Sequence, residues 1–161
     1  MSEKKFNRRV IREKALLALY AFEMNGDGLD ELIEGMFVEV KNENDKSFGK
    51  SLIAKVIANR KDLDEMIREK VNNWEMERIA LIDRILLRIA IAELLYFPDI
   101  PPKVSINEAI EIAKEYSTAK SGKFINGVLD AILTDLKQSG KLNKSGRGLI
   151  EESLPKKIQR K

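Results

Sequence analysis

At 161 residues the chain is long enough for one domain with a tail, and it holds neither Cys nor His, which excludes disulfides, thiolate zinc sites, cysteine nucleophiles and any Ser-His-Asp triad. Charged residues make up 34% and aromatics 6%; no run of about 18 apolar residues offers a membrane span, and Met1-Ser2-Glu3-Lys4-Lys5 lacks a signal-peptide apolar run, so the expected location is the cytoplasm. The net charge of +3 is divided into +4 over residues 1–14, −7 over 15–136 and +6 over 137–161: basic ends on an acidic body point to a polyanion, RNA or DNA first, with a solvated, partnerless Lys-rich tail as the plain alternative for the C-terminal segment.

The apolar spacing is helical from end to end. Ile11, Ala15, Leu19 and Phe22 predict a helix over 5–24, stopped by Asn25-Gly26-Asp27-Gly28. Leu29, Leu32, Ile33, Met36 and Phe37 predict a second over 29–40, and the polar stretch 41–46 reads as a loop. Two more helices are expected over 47–59 and 62–73, with Trp74 in the connection that follows. The fifth, 78–96, has little polar circumference and should be the central helix. Pro98, Pro101 and Pro102 end it and force an extended link. Ser105-Ile106-Asn107-Glu108 has capping-box form and opens a sixth helix, 105–117. Ser121 can cap a seventh, 121–137, in which Gly127 would permit close packing. From 139 on the chain is polar and basic, the composition of a disordered tail. No strand pattern occurs. The expected class is all-α, seven helices in small packed bundles, with a helical domain over 1–138 and a tail over 139–161.

Catalytic chemistry is poorly supplied. The glycines form no phosphate-cradling loop of the G-x-x-x-x-G-K-[ST] or G-x-G-x-x-G kind. Glu108 and Glu111 share one helix without His or a facing acidic helix, so no metal site is expected. No cofactor and no catalytic residue is assigned, and a binding module is the better starting point.

Two basic clusters stand out. Lys5, Arg8, Arg9 and Arg12, three and four residues apart, share one face of the first helix. Guanidinium forks grip phosphates in a way Lys cannot; the competing reading is a solvated helix start. Lys120 and Lys123 flank the start of the last helix, between Tyr116 and Phe124. Rings beside cations suit single-stranded RNA, whose bases stack while charges hold the backbone. For Tyr116 and Phe124, core packing is the alternative.

At these residues the sequence resembles the NusB family of bacterial transcription antitermination factors. The resemblance rests on Arg8-Arg9-x-x-Arg12-x-x-Ala15-x-x-x-Leu19-Tyr20, on Asp83-Arg84-Ile85-Leu86-Leu87-Arg88-Ile89-Ala90 followed by Glu93-Leu94, and on Pro101-x-Lys103-Val104-x-Ile106-Asn107-Glu108-Ala109-Ile110-Glu111-Ile112-Ala113-Lys114 leading to Lys123-Phe124-Ile125-Asn126-Gly127-Val128-Leu129-Asp130. It spans about residues 8–136 and leaves 139–161 outside.

The resemblance implies two small helical bundles and a non-catalytic RNA-binding role. Such proteins pair with the small-subunit ribosomal protein NusE, bind the boxA element of nascent RNA and, with NusA, NusG and RNA polymerase, suppress premature termination on ribosomal RNA operons. Arg8, Arg9 and Arg12 match the family's RNA-contacting motif, with Val10 where relatives can carry a further basic residue. Tyr116, Lys123 and Phe124 match its RNA-facing surface, and Glu77, Arg78 and Asp83 match the side that meets NusE. Lys120 is added from its charge alone. The two basic clusters should then lie together as one groove. Two other readings stand beside this one. A helical adaptor could bind protein only. An accessory domain of an RNA methyltransferase is disfavoured by the missing Cys nucleophile and cofactor motif.

Overall fold

A computed structural model describes residues 2–150, with the backbone alone described for 2–6, 73 and 74. The described residues form eight α-helices: α1 (Ser2–Asn25), α2 (Leu29–Phe37), α3 (Glu43–Ala58), α4 (Arg60–Arg68), α5 (Asn73–Arg78), α6 (Leu81–Tyr96), α7 (Pro102–Tyr116) and α8 (Ala119–Gln138). No strand occurs among the described residues. A 3-10 turn, Gly146–Leu149, follows. One group packs α1 with α2 and α3; a second packs α7 with α8; α6 touches α1, α3, α4, α7 and α8 and belongs to both.

The central position of α6 follows from its sequence. From Ile85 to Leu94 every residue is buried, and each large aliphatic side chain among them contributes roughly 1.5–3 kcal/mol by leaving water. Three charged side chains are buried with them, and each ties α6 to a different neighbour. Arg88 forms a two-pronged pair with Asp64 of α4, at 2.7 and 3.1 Å. Glu93 pairs with Arg12 of α1. Asp83 accepts the Ser121 hydroxyl of α8 at 2.6 Å. Burial without such partners would be costly for any of them.

Several helix starts differ from the sequence expectation for identifiable reasons. α3 begins at Glu43 rather than 47, because the Asn42 side chain accepts the Asp45 N–H at 3.0 Å and caps it. α5 is an eighth helix inside the expected connection. A capping box of Asn72 and Glu75 starts it, and Met76 anchors it in the core. α7 begins at Pro102, since Pro in a first turn gives up no intrahelical bond. Ser105 and Glu108 are therefore already inside the helix and do not cap it. α8 is capped by Thr118, whose hydroxyl accepts the Ser121 N–H at 3.2 Å. Gly127 lies within α8 as expected, but a Cβ there would meet open space, so close packing is not its role.

The sequence reading began the basic tail at 139. Its first part is placed against the body. The Lys144 ammonium donates to the carbonyls of Glu93 and Phe97 at 3.1 and 2.9 Å, and the Ser145 N–H donates to Pro98 at 3.0 Å. Residues 151–161 lie outside the described residues.

Close packing of α1, α2 and α3 meets at Gly49. A Cβ at that position would stand 2.5 Å from two ring atoms of Phe37 and 2.8 Å from Ile11. Phe37 is 1% exposed and has nowhere to retreat. Gly49→Ala is expected to cost about 1–3 kcal/mol by overpacking, read as a lower urea midpoint with an unchanged slope.

Candidate nucleic-acid interface

Four basic residues were expected on one face of α1. The Lys5 side chain lies outside the described residues. The other three are graded in exposure, because each meets a carboxylate from a different helix. Arg8 donates through Nε to Asp45 at 2.9 Å, and its guanidinium lies 4.2 Å from the centre of the Phe48 ring. Arg9 holds Glu108 of α7 with two bonds, at 2.8 and 2.9 Å. Arg12 holds Glu93 with two, at 2.7 and 2.9 Å. Their side chains are 33%, 25% and 5% exposed.

Arg12 thus departs from the sequence reading. Its guanidinium is buried with its carboxylate and cannot reach a phosphate without opening the α1–α6 contact. The Ser105 hydroxyl donates to the same Glu93 at 2.7 Å, so the pair binds α1, α6 and α7 at one point. Burial pulls the Arg12 pKa down, but the charge and hydrogen bonds of Glu93 outweigh it and the net direction is up. Arg9 also moves up, chiefly through its bonds to Glu108 and against its own desolvation. Both stay cationic.

Arg8 and Arg9 keep donors for a ligand. A guanidinium carries five N–H groups. Arg8 spends one on Asp45 and Arg9 two on Glu108. Pairing and stacking hold the groups in place while an edge faces solvent, which lowers the ordering cost of gripping a phosphate.

At the second cluster, Lys120 and Lys123 are exposed on the first turns of α8. Tyr116 and Phe124 are half-buried and pack against the core, so core packing holds for part of each ring. Tyr116 faces Glu13 of α1. Burial, then Glu13 and Glu115, push its phenol up. Glu13 itself is raised by burial, then by repulsion from Glu115, with Arg9 opposing. The two clusters are bridged by the α1–α7 contact, but Glu13, Glu108, Glu111 and Glu115 stand between them. An unbroken basic groove is therefore not what this face presents: cations stand at both ends and carboxylates in the middle.

Of the expected protein-binding residues, Glu77 and Arg78 are exposed on α5. Asp83 is 7% exposed, so it serves the α6–α8 contact rather than a surface. Sequence reasoning missed Asp45, Phe48, Glu93 and Glu108 as partners of the arginines, and Ser105 as a further donor to Glu93. One signal was present: Arg12 shares the buried stripe of α1 with Ala15, Leu16 and Leu19, and Glu93 interrupts the most apolar helix. Opposite charges on two buried faces imply a pair. Among the described residues no cluster of acidic side chains is arranged to hold a metal ion, and no helix is long and apolar enough to cross a membrane.

A model of the NusB family matches residues 9–134. The transcription antitermination protein NusB of Chloroherpeton thalassium is 51% identical over 156 residues, 96% of this chain and 73% of the relative. Among solved structures, T. maritima NusB is similar with a TM-score of 0.74 and 36% identity, covering 80% of this chain and 91% of that one. A structure of antitermination factors NusB and NusE in complex with dsRNA contains a chain similar at TM-score 0.72 and 27% identity, covering 80% and 97%.

Arg12→Ala strands Glu93 in the core and is expected to cost about 3–5 kcal/mol, whereas Arg12→Met with Glu93→Leu recovers most of the loss. Arg8→Ala, at a partly exposed pair, should cost about 1 kcal/mol or less. Urea unfolding followed by circular dichroism separates these cases. Glu13 has a folded pKa above its unfolded value, so its penalty is absent at acid pH and appears as pH rises through the folded pKa. Glu13→Gln should raise the melting temperature at pH 7, and the gain should vanish below about pH 4.

Proposed function

The chain belongs to the NusB family, and from that premise we propose that it is a non-catalytic RNA-binding antitermination factor. It pairs with NusE on boxA-type single-stranded RNA of nascent ribosomal RNA transcripts in the cytoplasm. Through NusA, NusG and RNA polymerase, the assembly keeps transcription from ending early. The observation that carries this reading is the arginine end of α1: Arg8 and Arg9 are held by Asp45 and Glu108 with guanidinium donors still turned to solvent. A related NusB chain, similar over 80% of this one, stands in a complex with NusE and dsRNA.

The mechanism needs no bond making. Arg8 and Arg9 hold phosphates, Lys5 adds charge, and Lys120 and Lys123 take the backbone further along. The free faces of Tyr116 and Phe124 offer stacking to unpaired bases, each worth about 1–3 kcal/mol. Glu13 and its neighbours repel phosphate between the clusters, so the strand is held at two places rather than along a continuous trough. NusE binds on the α5 side, with Glu77 and Arg78 in contact. Two modest affinities joined on one RNA give a tight complex through effective concentration.

The test is a salt titration of RNA binding. Arg8→Ala with Lys123→Ala removes two phosphate contacts and should lower the salt slope by about 1.4 for a single strand. A slope and affinity equal to wild type would overturn the assignment. If binding to NusE persists with no RNA affinity, alone or together, a protein-only adaptor is the correct description. If a duplex binds more tightly than a single strand, the single-stranded part of the reading fails.

A further inference from the structure

We propose that the strap 141–150, with Lys103 and Lys137, forms a second polyanion-binding surface that takes phosphates of a single-stranded nucleic acid beyond the stretch held at α1. It rests on the RNA reading above and extends the contact to residues past the family match, which ends at 134.

The strap is fixed, not trailing. The Lys144 ammonium donates to the carbonyls of Glu93 and Phe97 at the C-terminal end of α6, where the helix dipole is negative. Burial drives its pKa down, with Glu93 and Asp99 opposing. Leu142 packs on the core. Gly148 is buried against Pro98 so closely that a Cβ would overlap the Pro98 carbonyl, so only glycine fits. These anchors leave Lys141 and Arg147 exposed. Residues 137–150 hold four basic side chains and no acidic one.

Between strap and body runs a groove of about 150 Å³ in which Lys103, Lys137 and Lys144 stand around Leu142, Leu149 and Ile150. No carboxylate lines it. Cations around low-dielectric walls concentrate positive potential. The groove is smaller than the roughly 300 Å³ at which pockets begin to enclose a metabolite, so it fits a chain passing over it. Leu149 is 63% exposed beside these cations and offers an apolar surface to a base or sugar.

Position links the groove to α1. Glu93 takes Lys144 on its backbone carbonyl and Arg12 on its carboxylate. Phe97, the other carbonyl acceptor, meets Phe48 edge-on at 5.5 Å, and Phe48 carries the Arg8 guanidinium. Arg8 and Arg12 of α1 and Lys144 of the strap are therefore joined through residues at the C-terminal end of α6, and a strand leaving Arg8 and Arg9 has cations ahead of it.

The full chain is titrated with labelled oligouridylates of about 8 and about 20 nucleotides, the shorter within the range of a single binding site and the longer beyond it. The variant Lys103→Ser/Lys137→Ser/Arg147→Ser changes side chains with no partner among the described residues. It should bind the short RNA within about twofold of wild type and the long RNA about tenfold more weakly, with a salt slope lower by about 2. If the variant binds the long RNA as wild type does, while Arg8→Ala/Arg9→Ala still weakens it, this surface is overturned and the α1 reading survives. An equal loss on both lengths places the lysines in the primary contact and overturns the extension. If wild type binds neither RNA, this surface is overturned, and the RNA reading stands or falls on the salt titration with boxA-type RNA. The chain has no cysteine, so a dye on Asn143→Cys reports independently of folding changes in the triple variant. Its emission should change with the long RNA only; no change with the long RNA contradicts the proposal.

Discussion

The buried pair of Arg12 and Glu93 is the point on which the arrangement depends. It joins residues 81 positions apart, and Ser105 completes it from a third helix. An ion pair in a core adds little net stability, because desolvation offsets attraction, but breaking one partner away is costly. Its effect here is geometric. With Arg12 locked to α6, the preceding turn of α1 must present Arg8 toward α3 and Arg9 toward α7, where Asp45 and Glu108 receive them. One motif therefore divides its labour: the innermost arginine builds the fold, and the outer two remain available.

The same logic runs along α6. Its three buried charges each reach a different element, so the most apolar helix is also the one whose register against its neighbours is specified by polar contacts. An aliphatic surface alone would tolerate sliding. Paired charges tolerate much less, since a shift of one turn would bury each of them alone.

The helical class, the central helix, the proline-bounded link and the family were legible in the sequence, because they depend on local periodicity, on breakers and on motifs read in order. What escaped was non-local. Ser105 and Glu108 have capping-box spacing, and only the position of Pro102 at the head of α7 and the distant partners Glu93 and Arg9 show that they serve side chains instead. α5 is too short for a periodic signal, and its box at Asn72 and Glu75 was the readable cue. The cationic face looked simpler than it is for the same reason: spacing along α1 reveals its like charges and Glu13 beside them, but not the carboxylates of Glu108, Glu111 and Glu115 that α7 brings against them. The strap was hidden by composition, since polar, glycine-containing sequence reads as tail until the end of α6 supplies acceptors for Lys144.

The division of roles among the arginines is open to direct observation, because each Nε–H gives its own nitrogen–proton NMR resonance. On adding RNA, the Arg8 and Arg9 signals should shift, while the Arg12 signal should stay in place and exchange slowly with water. An Arg12 signal that moves with the other two, or exchanges with water as fast as they do, would contradict the account.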